Sequence, residues 1–250
     1  MNNDKITFCS LNCQGLGNFR KRKDVLNYLR DYSILCLQDT HISKEIQNKV
    51  KNEWGFEAAF SSFNSQSRGV AIFLNKNLDY KIMNQISDPN GNFLLLDIEI
   101  LDKKITLGCI YAPNRDDPEF INLIKTYLLD CDNENIILVG DWNLLLNPLQ
   151  DGWGYKHINN HRARAKLLFM TIELNLIDVW RKQHPNDSIF TWHKKRNNKI
   201  IQKGRLDFFL VSQSIYNLIT FSDILPGYRS DHSIISLNVQ RKEKINRRTF

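Results

Sequence analysis

Asp141 and Asn143 place a carboxylate and a carboxamide two positions apart, just after the run Ile136–Val139 and Gly140. A carboxylate accepts hydrogen bonds, binds a metal or takes a proton, whereas a carboxamide donates and accepts without carrying charge. Together they suit a site that must grip both a water and an anionic oxygen. Ile-Ile-Leu-Val reads as a buried strand, and Gly140 lets the backbone turn sharply as it leaves the sheet. Period-2 alternation then predicts Asp141 and Asn143 on one side, with Trp142 pointing away. An isolated Gly-Asp-x-Asn is equally well an Asx-rich turn, so the rest of the chain has to decide.

Polar residues close other strand-like runs in the same manner. Asn12 follows Thr-Phe-Cys-Ser-Leu, with Gln14-Gly15 just after it; Asp39 follows Ile-Leu-Cys-Leu-Gln and precedes Thr40-His41; Tyr111 closes Thr-Leu-Gly-Cys-Ile. Singly, each has an ordinary structural explanation as a cap, a turn or a strand aromatic. Asp207 is harder to explain that way, because Arg-Leu-Asp-Phe-Phe-Leu embeds a carboxylate in an apolar strand, which costs several kcal/mol unless the charge is partnered. His232, beside Asp231, is the best candidate partner. An Asp–His pair with a second carboxylate nearby serves acid–base or metal chemistry.

These residues need strands to carry them, and strand-like runs recur at 6–11, 34–38, 69–74, 93–100, 105–111, 136–139, 206–211 and 233–239. Helical stripes are predicted over 21–31, 118–130 and 162–174, the second with Pro118 near its start, where a missing N–H is tolerated. Arg162, Arg164 and Lys166 lie in the first turn of the third helix, where cations oppose the helix dipole; an external anion or plain solvation would relieve this. Pro89-Asn90-Gly91 marks a hairpin turn, and 194–204 is a polar, basic loop between strand-like 189–192 and 206–211. The pattern predicts an α/β (α+β) fold in four layers: two packed, mainly antiparallel β-sheets flanked by helices. One domain over 1–239 is expected, with 240–250 a basic tail or linker to a longer polyprotein.

Lys and Arg exceed Asp and Glu by 34 to 27, a net charge of +7, which favours a polyanionic partner without identifying it. The five cysteines have no CxxC spacing, so buried free thiols are expected rather than zinc or a disulfide framework. No apolar window approaches the roughly 18 residues of a membrane span, and a soluble intracellular protein is expected, with no membrane partner.

In order, Ser-Leu-Asn-Cys-Gln-Gly-Leu, Leu-Gln-Asp-Thr-His, Tyr-Ala-Pro-Asn, Gly-Asp-Trp-Asn, Arg-Leu-Asp-Phe and Ser-Asp-His-Ser resemble the motif series of the endonuclease/exonuclease/phosphatase superfamily, over about residues 5 to 239. Within it the chain most resembles the apurinic-type endonuclease domain of LINE-type non-LTR retrotransposons, with Asn-Asn-His-Arg-Ala-Arg (159–164) and Pro-Gly-Tyr-Arg-Ser-Asp-His-Ser as further support. The resemblance implies a Mg²⁺ site (Mn²⁺ as substitute) at Asp39, with Asn12 beside it and Asp231 as a further metal-side carboxylate. It implies that Asp141 positions or deprotonates the attacking water and that Asn143 holds the scissile phosphate. His232 would contact that phosphate or act in acid–base chemistry, with Asp207 fixing its tautomer, and Tyr111 would reach a phosphate oxygen or the nucleophile. Thr191 and Ser230 would hydrogen-bond phosphate. Arg162, Arg164 and the segment with Lys194, Lys195 and Arg196 would lie against double-stranded DNA. Two positions depart from the family pattern: Asp39 stands where Glu is common, and Gln14 where apurinic endonucleases have an acid, which favours a single metal over two tight sites.

The implied activity is a nick that leaves a 3′-hydroxyl for target-primed reverse transcription. It further implies a covalently linked reverse transcriptase, a monomeric isolated domain, translation in the cytoplasm and action in the nucleus. Three alternatives stay open at this point: an apurinic/apyrimidinic repair endonuclease or exonuclease, a phosphoinositide phosphatase, and a catalytically weakened nucleic-acid-binding module.

Overall fold

The computed structural model describes residues 5–100, 102–131, 133–157 and 159–240; apart from Gln240, the basic tail lies outside them. The chain begins β1 (Lys5–Asn12), α1 (Phe19–Tyr28), β2 (Ile34–Gln38), α2 (Gln47–Trp54), β3 (Ala58–Ser61), β4 (Val70–Leu74), β5 (Lys81–Ser87), β6 (Phe93–Ile100) and β7 (Lys103–Tyr111). After α3 (Pro118–Asp130) come β8 (Ile136–Asp141), the helical turn α4 (Pro148–Asp151), β9 (Gly152–Trp153), α5 (His161–Glu173), β10 (Leu176–Asp178) and α6 (Val179–Gln183). The last part holds β11 (Trp192–Arg196), β12 (Lys199–Gly204), β13 (Asp207–Ser212), the turn α7 (Gln213–Tyr216), β14 (Ile219–Leu225) and β15 (Ile234–Gln240).

Two six-stranded sheets, ordered β14-β15-β1-β2-β4-β3 and β10-β13-β8-β7-β6-β5, pack face to face. Only β1–β2 and β7–β8 are parallel pairs, the other neighbours in these sheets being antiparallel. Side-chain parity divides the core into three. Phe8, Ile72, Leu96, Leu107, Val139, Phe209 and Leu237 fill the space between the sheets. Leu11, Val25, Leu29, Val50, Trp54 and Phe73 join the first sheet to α1 and α2, and Leu138, Ile121, Ile124, Leu167 and Met170 join the second to α3 and α5. The four layers are those the pattern predicts.

Within the two six-stranded sheets, the strands that the apolar pattern did not reveal, β3, β5, β10 and β14, are the four edge strands. An edge strand has one unpaired side and carries polar residues that discourage further pairing, so alternation is weak; β5, Lys-Ile-Met-Asn-Gln-Ile-Ser, has no buried residue. Helix α2 also escaped, because only Val50 and Trp54 of its eight residues are buried. The segment 194–204, read as a loop, is instead most of the β11–β12 hairpin. Asn197 and Asn198 turn it with φ of 49° and 59°, the positive pair that a type I′ turn requires. Strand β9 adds to its inner side.

This hairpin is tied to the main sheets by buried charge. Arg205, 1% exposed, reaches both Asp151 oxygens at 2.8 and 3.0 Å and both Asp178 oxygens at 3.2 and 2.6 Å, while Arg181 also pairs with Asp151. Removing one partner of such a network strands a buried charge. Arg205→Ala is therefore expected to lower unfolding free energy by about 3–5 kcal/mol in chemical denaturation; an unchanged midpoint would show that the network carries no such weight.

Candidate active site

Parity also delivers the polar residues. On β1, positions 6 and 8 face the opposing sheet, so 12 does; on β7, 105, 107 and 109 do, so 111 does; on β8, 137 and 139 lead to 141; on β13, 211 and 209 lead back to 207. Because β1∥β2 and β7∥β8, while β13 and β15 run opposite to their neighbours, all these positions reach the same edge of the sandwich. Tyr111, Asp141 and Asp207 are in direct register across β7–β8–β13. Gly140 is needed for this register: with φ 146°, a Cβ there would meet the Ile110 carbonyl oxygen at 1.9 Å.

Asp141 is 1% exposed and its carboxylate is the hub. Oδ2 accepts from Asn12 Nδ2 at 2.8 Å, across the two sheets, and Oδ1 accepts from the Asn143 amide at 2.9 Å. The second bond is an Asx turn, so turn and site coincide here rather than compete. It also corrects the alternation expected for Asn143. That residue lies past the end of β8, adopts φ 51°, and approaches Asp141 through the turn. Its side chain donates to the Ala112 carbonyl at 2.7 Å, leaving a second amide proton available. Asn12 builds a like turn, its Oδ1 accepting from the Gln14 amide at 3.1 Å. Trp142 points away as expected, buried and stacked on Phe208 at 5.5 Å.

Asp207 meets the predicted partner: its Oδ2 lies 2.8 Å from His232 Nδ1. The other ring nitrogen, Nε2, lies 3.8 Å from Asp141 Oδ2 and 3.9 Å from Asp231 Oδ1. Burial alone would lower the His232 pKa, but Asp207 and then Asp141 override it and push it up to about 10. Asp141 rises to about 7, first from burial and then from the nearby Asp207 charge, with His232 and Asn12 opposing. Asp141 and His232 therefore both hold their protons to higher pH than the free side chains would.

Asp39 sits at the end of β2 with φ 50°, its Oδ1 accepting from the Arg68 amide and lying 3.0 Å from His41 Nε2. The Tyr111 phenol is held protonated by burial and by the charges of the nearby Asp39 and Asp141. Asp231 Oδ1 is buried and lacks a hydrogen-bond partner, as does Asp207 Oδ1. Asp141, Asp207 and His232 offer ligand atoms within 4.8 Å of one another. Neither Asp39 nor Asp231 joins such a trio among the described residues. The oxygens of Asp39, Asp231 and Asn12, with the Asp231 atom unpartnered, are a donor set that suits a hard divalent cation.

Three sequence expectations change. Thr191 is buried, and its hydroxyl accepts from the Leu206 and Asp207 amides at 2.9 and 3.1 Å, so it fixes Asp207 rather than reaching a phosphate. Ser230, half-buried, braces the site: Oγ donates to the Asn12 carbonyl at 2.6 Å and accepts from the His232 amide at 3.1 Å. The anion at the start of α5 is internal, Asp116, which accepts from the Arg162 and Ala163 amides; Arg164 is partly engaged by the Leu146 carbonyl. Arg162, Lys194, Lys195 and Arg196 are exposed. The sequence reading gave no role to His41 or Arg68. His41 stands in the same motif as Asp39, whereas Arg68 carries no local signal.

A model of the Endonuclease/Exonuclease/phosphatase family matches residues 9–232. Among curated proteins, the chain is 25% identical over 240 residues to a transposon TX1 uncharacterized 149 kDa protein of Xenopus laevis, covering 94% of this chain and 18% of that one. It is 27% identical over 233 residues to DNA-(apurinic or apyrimidinic site) endonuclease 2 of Schizosaccharomyces pombe, covering 81% and 43%. The chain thus spans less than half of either relative. By fold it is similar to the AP endonuclease LMAP from Leishmania major (TM-score 0.81, 16% identity, 97% of this chain and 90% of that one). It is likewise similar to the 3′-5′ exonuclease NExo from Neisseria meningitidis (TM-score 0.72, 18% identity, 94% and 100%).

Raised folded-state pKa values mean that the folded protein holds protons the unfolded chain releases. The Asp141 contribution to stability is lost as pH rises from the ordinary 3.8 through about 7, and that of His232 from 6.5 through about 10. In the metal-free protein, the His232 ring signals are expected to keep their acidic-form positions past about pH 8 by NMR, and Asp207→Asn should return the titration toward 6.5. Wild-type titration near 6.5 would contradict the cluster as described.

Proposed function

The chain belongs to the endonuclease/exonuclease/phosphatase family, and on that premise we propose that it is a Mg²⁺-dependent DNA endonuclease that nicks one strand and leaves a 3′-hydroxyl. The convergence of Asn12, Asp141, Asp207 and His232 on one sheet edge is the observation that carries this reading. The nick would prime reverse transcription by a polymerase domain of the same polyprotein. Likeness to a transposon protein of which this chain covers only 18% supports that placement.

Asp39 and Asp231, with Asn12 Oδ1, would hold the divalent cation, which when bound neutralises charge developing on the phosphate and the leaving oxygen. Asp141, fixed through both oxygens, orients the attacking water and takes its proton, a role matched to a carboxyl raised to about 7. The His232 imidazolium presents Nε2–H toward a non-bridging phosphate oxygen, while Asp207 holds Nδ1–H and with it the ring's orientation. Asn143 offers its remaining amide proton to the same phosphate, and Tyr111 its hydroxyl. The net positive charge and the exposed cations of the β11–β12 hairpin give sequence-independent phosphate contacts.

A second reading, repair at apurinic or apyrimidinic sites, is favoured by the likeness to the fission yeast endonuclease. Duplexes of one sequence with and without an abasic residue separate the two: a target-nicking enzyme cuts both at comparable rates, and strong preference for the abasic duplex favours repair. For the chemistry itself, Asp141→Ala is expected to slow Mg²⁺-dependent nicking of supercoiled plasmid by about 10²–10⁴-fold. Equal rates for variant and wild type would remove the reading.

A further inference from the structure

Beside Tyr111 the edge of the sandwich opens into a cavity of about 310 Å³ lined by Arg68, Asn92, Tyr111, Pro113, Asn114 and Arg115. Among the described residues no carboxylate lines it. Arg68, in the loop before β4, is built into place. Its backbone has φ 60°, a conformation unusual for a side-chain-bearing residue, and its amide is held by Asp39 Oδ1 at 3.0 Å. Its guanidinium lies 4.1 Å over the Phe63 ring and reaches the Asn90 carbonyl with one N–H at 3.4 Å. The stack fixes the plane of the fork and leaves the other donors without a protein acceptor among the described residues. Its charge also acts on the Tyr111 hydroxyl, which places it beside the reaction edge. Arg115, which also lines the cavity, pairs among the described residues only with Asp117, at an 82%-exposed side chain. Such a surface pair is weak and exchangeable.

We propose that this cavity is a second phosphate subsite, taking a phosphodiester that flanks the scissile one on the same DNA strand, with Arg68 as its fixed anchor and Arg115 as a second lining cation. A planar, preorientated guanidinium matches phosphate oxygens two at a time. Tyr111 lines both the cavity and the reaction edge, so a strand lying in one passes through the other. The backbone bond from Arg68 to Asp39 makes the anchor and the proposed metal carboxylate one rigid piece. The subsite rests on the nuclease reading above, and it adds to that reading a residue outside the motif series.

The test uses the whole chain and two readouts. In EDTA, the salt dependence of duplex binding is measured by fluorescence anisotropy for wild type, Arg68→Gln and Arg115→Gln. With Mg²⁺, single-turnover nicking is measured on duplexes carrying one uncharged methylphosphonate at each position around the mapped nick. Arg68→Gln should reduce the slope of log affinity against log salt by about one. It should also abolish the penalty that wild type shows at one flanking phosphate, leaving penalties elsewhere intact. Arg115→Gln, altering an exposed side chain that does not threaten folding, should couple to the same phosphate. Unchanged slopes, or penalties that add at every position in both variants, overturn the subsite while wild-type nicking still supports the nuclease. Arg68-dependent binding without any wild-type nicking leaves the phosphate contact standing and removes the nuclease reading. A wild type that binds no duplex overturns both.

Discussion

At the working edge the gap between the two sheets is bridged by a hydrogen bond from Asn12 Nδ2 to Asp141 Oδ2, 2.8 Å, both residues buried. Below it the sheets are held apart and in register by aliphatic side chains, and that packing becomes polar before it reaches the edge. Gln38, fully buried, donates to the Cys36 carbonyl and Cys109 Sγ and accepts from Ser10 Oγ. The sandwich thus closes over a layer of satisfied polar groups and ends in a carboxylate that neither sheet could hold alone. An unpaired buried carboxylate would be costly, so Asp141 depends on Asn12 from the other sheet, on the Asn143 amide from its own turn, and on His232 from the last strand's entry.

The supports of that edge are themselves built from short polar links between distant segments. Ser230 ties the His232 loop to the end of β1, Thr191 ties the hairpin to the start of β13, and Arg205 anchors the same region to α4 and the α6 cap. Gly227 lets the 226–231 loop fold back, since a Cβ there would meet the His232 carbonyl oxygen at 1.9 Å. Positional precision at the site therefore comes from links between distant segments, and Thr191 and Ser230 supply two of them.

What was readable in the sequence follows from where each element lies. Central strands are buried on both faces and show as β-branched runs, which is why 34–38 and 93–100 coincide with β2 and β6. Of the edge strands, β5, β10 and β14 bury too little to leave a pattern, and β3 is only four residues long. The Asp207–His232 pair was legible because a carboxylate inside an apolar strand demands a partner, and Asp231-His232 lay before another apolar run. The hairpin register was hidden because its signal is two consecutive asparagines at its tip in an otherwise basic stretch. Arg68 was invisible for a different reason: its placement depends on a positive φ, an aromatic neighbour and Asp39, and none of these is a local pattern.

If the edge works as one unit joined across the sheets, the roles of Asn12 and Asp141 cannot be separated. A double-mutant cycle on single-turnover plasmid nicking tests this most directly, comparing Asn12→Ala, Asp141→Ala and the double variant. Residues that act as a unit show strongly non-additive losses, so the double variant should be no slower than Asp141→Ala within about twofold. Losses that multiply, with the double variant slower than Asp141→Ala by the full factor of Asn12→Ala, would show two independent contributions and contradict the account.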